Sequence, residues 1–335
     1  MRLLVLGGTV FLSEAVAEEG LRRGHDVTCA CRGESGSVPD GAGHMVWDRD
    51  QPVPPELAAT GFDAVVDVAR HPSRVRSAVA ALKAQSPSAH WVFVSTINVY
   101  ADESTPGGRP DTLPLHEPIT SDEDPASGPE VYGAMKVACE QIVQEGAASA
   151  TVVRPGLIVG PGDPSGRYTY WPARLAGTTS GDRVLAPGSP DDIVQIIDVR
   201  DLASWIVDCA EVRTVGVFDG TGPPTRLGDV LAETAAGVGS SARLVWADQD
   251  FLQDHDVQPW SGDRSIPLWL PRPAYDGMMN HDVSPTFAAG LATRPIADTA
   301  RDTLAWIRAE PSYERTGLTL EEEADLLSEW QKSAG

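Results

Sequence analysis

The first thirteen residues restrict the fold more than any other part of the chain. An apolar run from Leu3 to Leu6 stops at Gly7-Gly8-Thr9-Val10-Phe11-Leu12-Ser13, and a helical pattern then continues to about Arg23. Glycines after a strand let the backbone approach a pyrophosphate, and the helix that follows turns its positive end toward that charge. The second and third glycines of a full dinucleotide fingerprint are replaced here by Val10 and Ser13. A plain tight turn would use Gly7 and Gly8 equally well, so the strand, loop and helix context carries the reading.

That context repeats down the N-terminal half. GHDVTCACR, HMVW, DAVVDV, WVFVS and the run from Ala150 to Val153 read as strands. The helical patterns SRVRSAVAALKA and Val131 to Glu145 fall between the later ones. Near-continuous apolar strands joined by helices imply a parallel sheet covered on both faces. The expected class is α/β, a doubly wound Rossmann sheet with ligands at the carboxyl ends of its strands. Beyond about residue 160, Pro and Gly become dense and Trp171, Trp246, Trp260 and Trp269 cluster. We expect a dinucleotide-binding domain over 1–165 plus about 193–220, the latter through IIDVRDLASWIVDCAE. A smaller substrate domain takes about 166–192 plus 221–335. The chain should close with a helix opened by a Thr319/Glu322 capping box, with Glu321 to Glu323 at its positive end. The polar stretch from Asp102 to Glu130 is a candidate lid or rim.

Charge excludes several functions. The 335 residues carry 48 acidic and 26 basic side chains, a net charge of −22. Nucleic-acid binding needs Lys and Arg against phosphate, so it fits poorly. Four cysteines are too few for a disulfide framework, and Cys29 and Cys31 read as half-buried strand residues, not metal ligands. No apolar stretch approaches membrane-spanning length, so the expectation is a cytoplasmic protein with a small-molecule substrate, no metal and no membrane partner.

The basic residues include only three lysines, Lys83, Lys136 and Lys332. Lys136 lies four residues after Tyr132 in Tyr132-Gly133-Ala134-Met135-Lys136, on one helix face. A free phenol titrates near pH ~10, and a nearby cation brings it toward neutrality, where it can act as acid or base. Thr96 and Ser95 end the WVFVS strand, where a ligand of this fold sits, and either hydroxyl can hold a carbonyl oxygen.

Taken together, GGTVFLS, GHDV, STINVY, YGAMK, VRPGLIVGPGD, IIDVRDLA and DVSPTFAAGL resemble the extended short-chain dehydrogenase/reductases of the NAD-dependent epimerase/dehydratase group. The resemblance implies that Tyr132 is the catalytic acid/base and that Lys136 lowers its pKa while holding the nicotinamide ribose. It further implies that Thr96, or failing it Ser95, positions the substrate oxygen. Gly7 to Leu12 become the pyrophosphate loop, Asp48 the adenine contact with Arg49 beside it, and Val68 and Ala69 the loop over the cofactor. Pro155 and Leu157 complete the cofactor-binding set, and a homodimer is the family's usual assembly. Relatives that use NAD carry an acidic residue at the end of the second strand, where this chain has Cys31-Arg32. A guanidinium pairs with a 2′-phosphate, so NADP(H) is favoured, with NAD(H) the alternative.

Two departures bear on the substrate. Nucleotide-sugar enzymes of the group hold the diphosphate with an Asn and an Arg at positions that here are Leu157 and Val194. Arg167, Arg174 or Arg200 could replace them. Tyr168, Tyr170, Trp171, Trp260 and Trp269 suggest core packing or, in part, a pocket for a flat molecule. The favoured function is therefore hydride transfer to or from a carbonyl or secondary alcohol of a small aromatic or specialised metabolite. The alternatives are a nucleotide-sugar epimerase or dehydratase, and a non-catalytic NAD(P)-binding sensor.

Overall fold

In a computed structural model, which describes residues 1–311 and 313–333, the N-terminal alternation is regular. Strand β1 (Arg2–Leu6) leads into α1 (Phe11–Arg22), then β2 (Asp26–Cys31), β3 (Gly43–Val46), the short α2 (Pro55–Ala59) and β4 (Ala64–Asp67). Next come α3 (Pro72–Leu82), β5 (His90–Val94), a 3-10 turn at Ile97–Val99, α4 (Pro129–Gly146) and β6 (Ser149–Pro155). The chain then passes through β7 (Leu157–Val159), α5 (Tyr170–Leu175), β8 (Arg183–Pro187), β9 (Ile193–Val194) and β10 (Ile196–Asp198). Helix α6 (Val199–Val212) returns it to β11 (Gly216–Gly220).

Seven of these strands form one parallel sheet in the order β11-β6-β5-β4-β1-β2-β3. This is the doubly wound Rossmann architecture. Strand order reverses between β1 and β4, so a crevice opens there at the carboxyl ends. Successive side chains of a strand point to opposite faces, and both faces are apolar. Leu3 and Val5 pack against α1 and α6 through Val16, Trp205 and Ile206. Leu4 and Leu6 pack on the other side with Val75, Val79, Cys139 and Val143 from α3 and α4.

His90 lies within the sheet, fully buried, its ring nitrogens 2.9 Å from the Ser149 and Thr151 hydroxyls. Burial, then the charge of Arg213, pushes its pKa down to about 4. The unfolded chain takes up this proton near pH 6.5 and the folded chain not until about 4. Stability therefore falls as the pH drops through that window. Urea denaturation at several pH values should show a shallower acid slope in His90→Gln than in the parent.

The remaining chain adds β12 (Thr225–Arg226), α7 (Leu227–Val238), β13 (Arg243–Ala247), α8 (Gln249–Asp254), β14 (Gln258–Pro259), β15 (Ser265–Ile266), α9 (Ser284–Ala288), α10 (Ile296–Ala309) and α11 (Leu320–Ser333). A separate apolar core joins α5, β8 and α7. Tyr168, Tyr170, Trp171 and Trp269 belong to that core at 0–2% exposure; of the five expected aromatics only Trp260 lines the cavity described below. Thr319 and Glu322 form the reciprocal cap at the start of α11. Glu323 does more than complement the helix end. It is buried, paired with Arg174, and accepts the Leu185 amide at 2.8 Å. Among the described residues, no helix is long and apolar enough to cross a membrane.

Candidate active site

The groove at the switch point measures about 540 Å³ and runs from the glycine turn past Arg32, Asp48 and Val68 to Arg70 and His71. Its floor explains the incomplete fingerprint. Gly7 and Gly8 adopt φ values of 141° and 111°, and a Cβ on Gly8 would lie 2.4 Å from the Cys29 sulfur. Those two positions therefore require glycine. Val10 has φ −141°, extended backbone open to any residue. The Ser13 hydroxyl accepts from the Gly8 amide at 3.0 Å and donates to the Val10 carbonyl at 2.9 Å, pinning the turn from inside.

Tyr132 and Lys136 share one face of α4 but do not pair. The Lys136 ammonium is buried and donates to the Ala69 and Val94 carbonyls at 2.7 and 2.5 Å. Burial pushes its pKa down to about 8. The sequence reading made this ammonium the cation that lowers the Tyr132 pKa. In the structure, burial holds the phenol above its ordinary range, and the opposing influences are the positive charge of Arg70 and a hydrogen bond with Thr96. Arg70, exposed in the loop after β4, was missed. Its only sequence signal is that it directly follows Val68 and Ala69 at a strand's carboxyl end.

Thr96 caps the 3-10 turn after β5, its hydroxyl donating to Asn98 Oδ1 at 3.0 Å and accepting the Asn98 amide at 3.2 Å. Ser95 is turned the other way, into the sheet, where it donates to Glu140 Oε1 at 2.5 Å. That contact removes it as the positioning hydroxyl. Arg49 is likewise committed, bonding both Asp67 oxygens at 3.2 and 3.1 Å and lying over the Trp47 ring. It borders the groove but holds the end of β4. Its neighbour Asp48 remains at the groove wall. Leu157 faces a different space: it lines a second cavity with Gly156 and Ile97. Pro155 ends β6 opposite Gly220, buried in the sheet.

Gly133 lets α4 touch the turn that carries Thr96. A Cβ there would fall 1.8 Å from the Asn98 carbonyl oxygen. Gly133→Ala should therefore separate the phenol from Thr96. We expect overpacking to destabilise the fold by about 1–3 kcal/mol, with turnover lost more than cofactor affinity. Denaturation and steady-state kinetics on one preparation check both parts.

The second cavity, about 430 Å³, adjoins the 3-10 turn and is walled by Arg167, Trp260, Glu103, Glu130, Tyr275 and Met279 among others. It sorts the three arginines proposed as substitutes for the diphosphate ligands. Arg174 pairs with Glu323, and Arg200 pairs with Asp198 and Asp302. Only Arg167 reaches the cavity. Val194 is buried in a strand pair with Thr225. The Asp102 to Glu130 stretch forms a rim: Glu103 and Glu130 line this cavity and Pro125 the groove. Its backbone is tied to the 277–282 segment, with the Gly277 and Met278 amides donating to the Glu103 carbonyl. The contributions of Tyr275 and Met279 had no local sequence signal, because only tertiary folding brings them here.

With glycine turn, groove and Tyr-Lys helix thus placed, the profile of the NAD dependent epimerase/dehydratase family matches residues 3–215. The chain belongs to this family. Among curated proteins it is 28% identical to the human epimerase family protein SDR39U1, over 70% of this chain and 79% of that one. It is also 26% identical to the Arabidopsis thaliana chloroplast stem-loop binding protein of 41 kDa b, over 71% of this chain and 63% of that one. Among solved structures, UDP-N-acetylglucosamine 4-epimerase from Bacillus cereus superposes with a TM-score of 0.62 at 18% identity, covering 92% and 99% of the two chains. At that identity the match shows a shared fold.

The groove suits the family's cofactor. Gly7 and Gly8 leave the approach to the α1 N-terminus open, and the buried Nδ1 of His71, which lines the same groove, has no hydrogen-bond partner among the described residues. Lys136 uses two of its three N–H donors on carbonyls and keeps one.

Proposed function

We propose that this chain is an NAD(P)-dependent enzyme that interconverts a secondary alcohol and a carbonyl at the junction of groove and cavity. The observation that carries this reading is that Lys136 ties Ala69 of the groove wall to Val94 at the end of β5, while Tyr132 on the same helix face meets Thr96, which directly precedes Ile97 and Asn98 of the cavity wall. When bound, the nicotinamide supplies or accepts the hydride. Tyr132 gives a proton to the nascent alkoxide in reduction and takes it back in oxidation. Thr96 orients the substrate oxygen, and the third N–H of Lys136 holds a ribose hydroxyl. A phenol held above its ordinary range is protonated at neutral pH, which suits the acid role.

Whether the redox change is net or reverses within a cycle separates two readings. The family and its named relatives favour a nucleotide-sugar epimerase or dehydratase, which regenerates its cofactor. Leu157 and Val194, apolar where the sugar-nucleotide enzymes hold a diphosphate, favour net oxidation or reduction of another small molecule. Incubating the protein with NADPH and aromatic ketones, keto acids or nucleotide sugars tests this. Lasting absorbance loss supports the oxidoreductase, and product without net loss supports the epimerase or dehydratase. No conversion of any of them contradicts the enzyme reading. The stem-loop-binding relative raises RNA as a ligand, but a net charge of −22 opposes it.

NADP(H) is the favoured cofactor. Arg32 lines the groove with Ser35 and is 55% exposed, with Glu34 at 3.2 Å as its ion-pair partner. Arg32→Ala should weaken NADPH by about tenfold, the scale of one charge-assisted contact, and leave NADH unchanged. NADH binding more tightly than NADPH in the parent would overturn the preference.

A further inference from the structure

The walls of the substrate-side cavity carry opposite charges that do not neutralise one another. Arg167 stacks over the Trp260 ring at 4.9 Å and, among the described residues, forms no ion pair with an acidic group. The charge of Asp163 acts on it, and the Asp163 Oδ2 is buried without a hydrogen-bond partner among the described residues. Glu103 and Glu130 line the same cavity, with neither carboxylate in an ion pair among the described residues. The guanidinium and the two carboxylates thus line one cavity beyond ion-pair distance of each other, with Trp260, Tyr275, Leu270 and Met279 as the apolar wall.

Backbone geometry supports a site held for a ligand. Trp260 has φ 70°, left-handed backbone that is rare for a bulky side chain, and its amide is fixed by the Trp269 carbonyl at 3.1 Å. That conformation keeps the indole beneath the Arg167 guanidinium. The Glu103 main chain is fastened to Gly277 and Met278, so its carboxylate is presented on a constrained rim.

We propose that the substrate is a zwitterion: a carboxylate taken by Arg167, an apolar or aromatic body on Trp260 and Met279, and a protonated amine between Glu103 and Glu130. This rests on reading the cavity as the substrate side of the hydride-transfer site. An amine and a carboxylate separated by a flat body match the cavity's charge separation. A nucleotide diphosphate would bring two or more negative charges toward the carboxylate pair.

Calorimetric titration of the Tyr132→Phe protein, with and without NADPH, separates this from the catalytic reading because no turnover is needed. The probes are phenylserine, its N-acetyl derivative, its methyl ester and UDP-glucose. Phenylserine should bind, and acetylation or esterification should each weaken it by about tenfold. Arg167→Gln should bring phenylserine down to the level of its ester and leave the ester unaffected. Glu103→Gln/Glu130→Gln should do the same for the acetylated form. Unchanged NADPH affinity and melting temperature show that these variants fold. Tighter binding of UDP-glucose, equal binding of the blocked forms, or no binding of phenylserine overturns the proposal.

Discussion

Tyr132→Phe should lower kcat by roughly 10²–10⁴, the range that a positioned general acid or base contributes. Affinity for the cofactor should be unchanged. Removing one oxygen leaves the ring packed on α4, so the change deletes proton transfer and little else. Because that transfer occurs only in the transition state, kcat and kcat/KM should fall together. The pH profile gives an independent sign. Burial raises the phenol pKa, so reduction, which needs the proton on, should be level through neutral pH and fall only in the alkaline range. Oxidation should rise in that range. Near-normal turnover by the Phe variant would remove Tyr132 from the chemistry and leave the fold assignment intact.

The largest stability effect is expected beneath the site. Arg154 bonds both Glu140 oxygens at 3.0 and 2.7 Å, Ser95 donates to the same carboxylate, and both partners of the ion pair are 3% exposed. Arg154 also reaches the Tyr100 hydroxyl at 3.0 Å, which donates to Asp219 at 2.6 Å. Asp219 in turn lies 2.9 Å from His281 Nδ1. Breaking a buried pair leaves an uncompensated charge, so Arg154→Met or Glu140→Leu alone should destabilise by about 3–5 kcal/mol. The double replacement should recover part of that loss, since no lone charge remains, although Ser95 and Tyr100 lose partners. Denaturant midpoints of the four proteins decide it, and a single variant within experimental error of the parent would contradict the account. Glu140 is one turn beyond Lys136 on α4, and Ser95 precedes Thr96. The network therefore sets the register between the two site elements.

Features fixed by local chain chemistry were legible in the sequence. The glycine turn, the buried strands and the Tyr-Lys spacing on α4 each depend on a few consecutive residues, and from them the parallel sheet and its switch point could be inferred. Side-chain direction was not legible. Ser95 and Thr96 are adjacent, yet one hydroxyl turns inward to Glu140 and the other is taken by Asn98 in the 3-10 turn. Asp48 and Arg49 divide in the same way, because Asp67 captures the guanidinium. The aromatics of the C-terminal part are apolar enough for either core or pocket, and only the packing of α5, β8 and α7 buries four of them. Arg70 and Glu103 sit in loops and Glu130 in the first turn of α4, places where charge is ordinary, so composition gave no reason to select them. Lysine scarcity was a better guide to place than to role: Lys136 is buried beside the groove, but its ammonium is held by two carbonyls and not by the phenol.

The central claim is that the crevice between β1 and β4 is a pyridine-nucleotide site. Titrating the purified protein with NADPH and NADH, followed by tryptophan fluorescence because Trp47 borders the groove, tests it most directly. The account predicts saturable binding of one NADPH per chain, tighter than NADH. Absence of saturable binding by either nucleotide would contradict it.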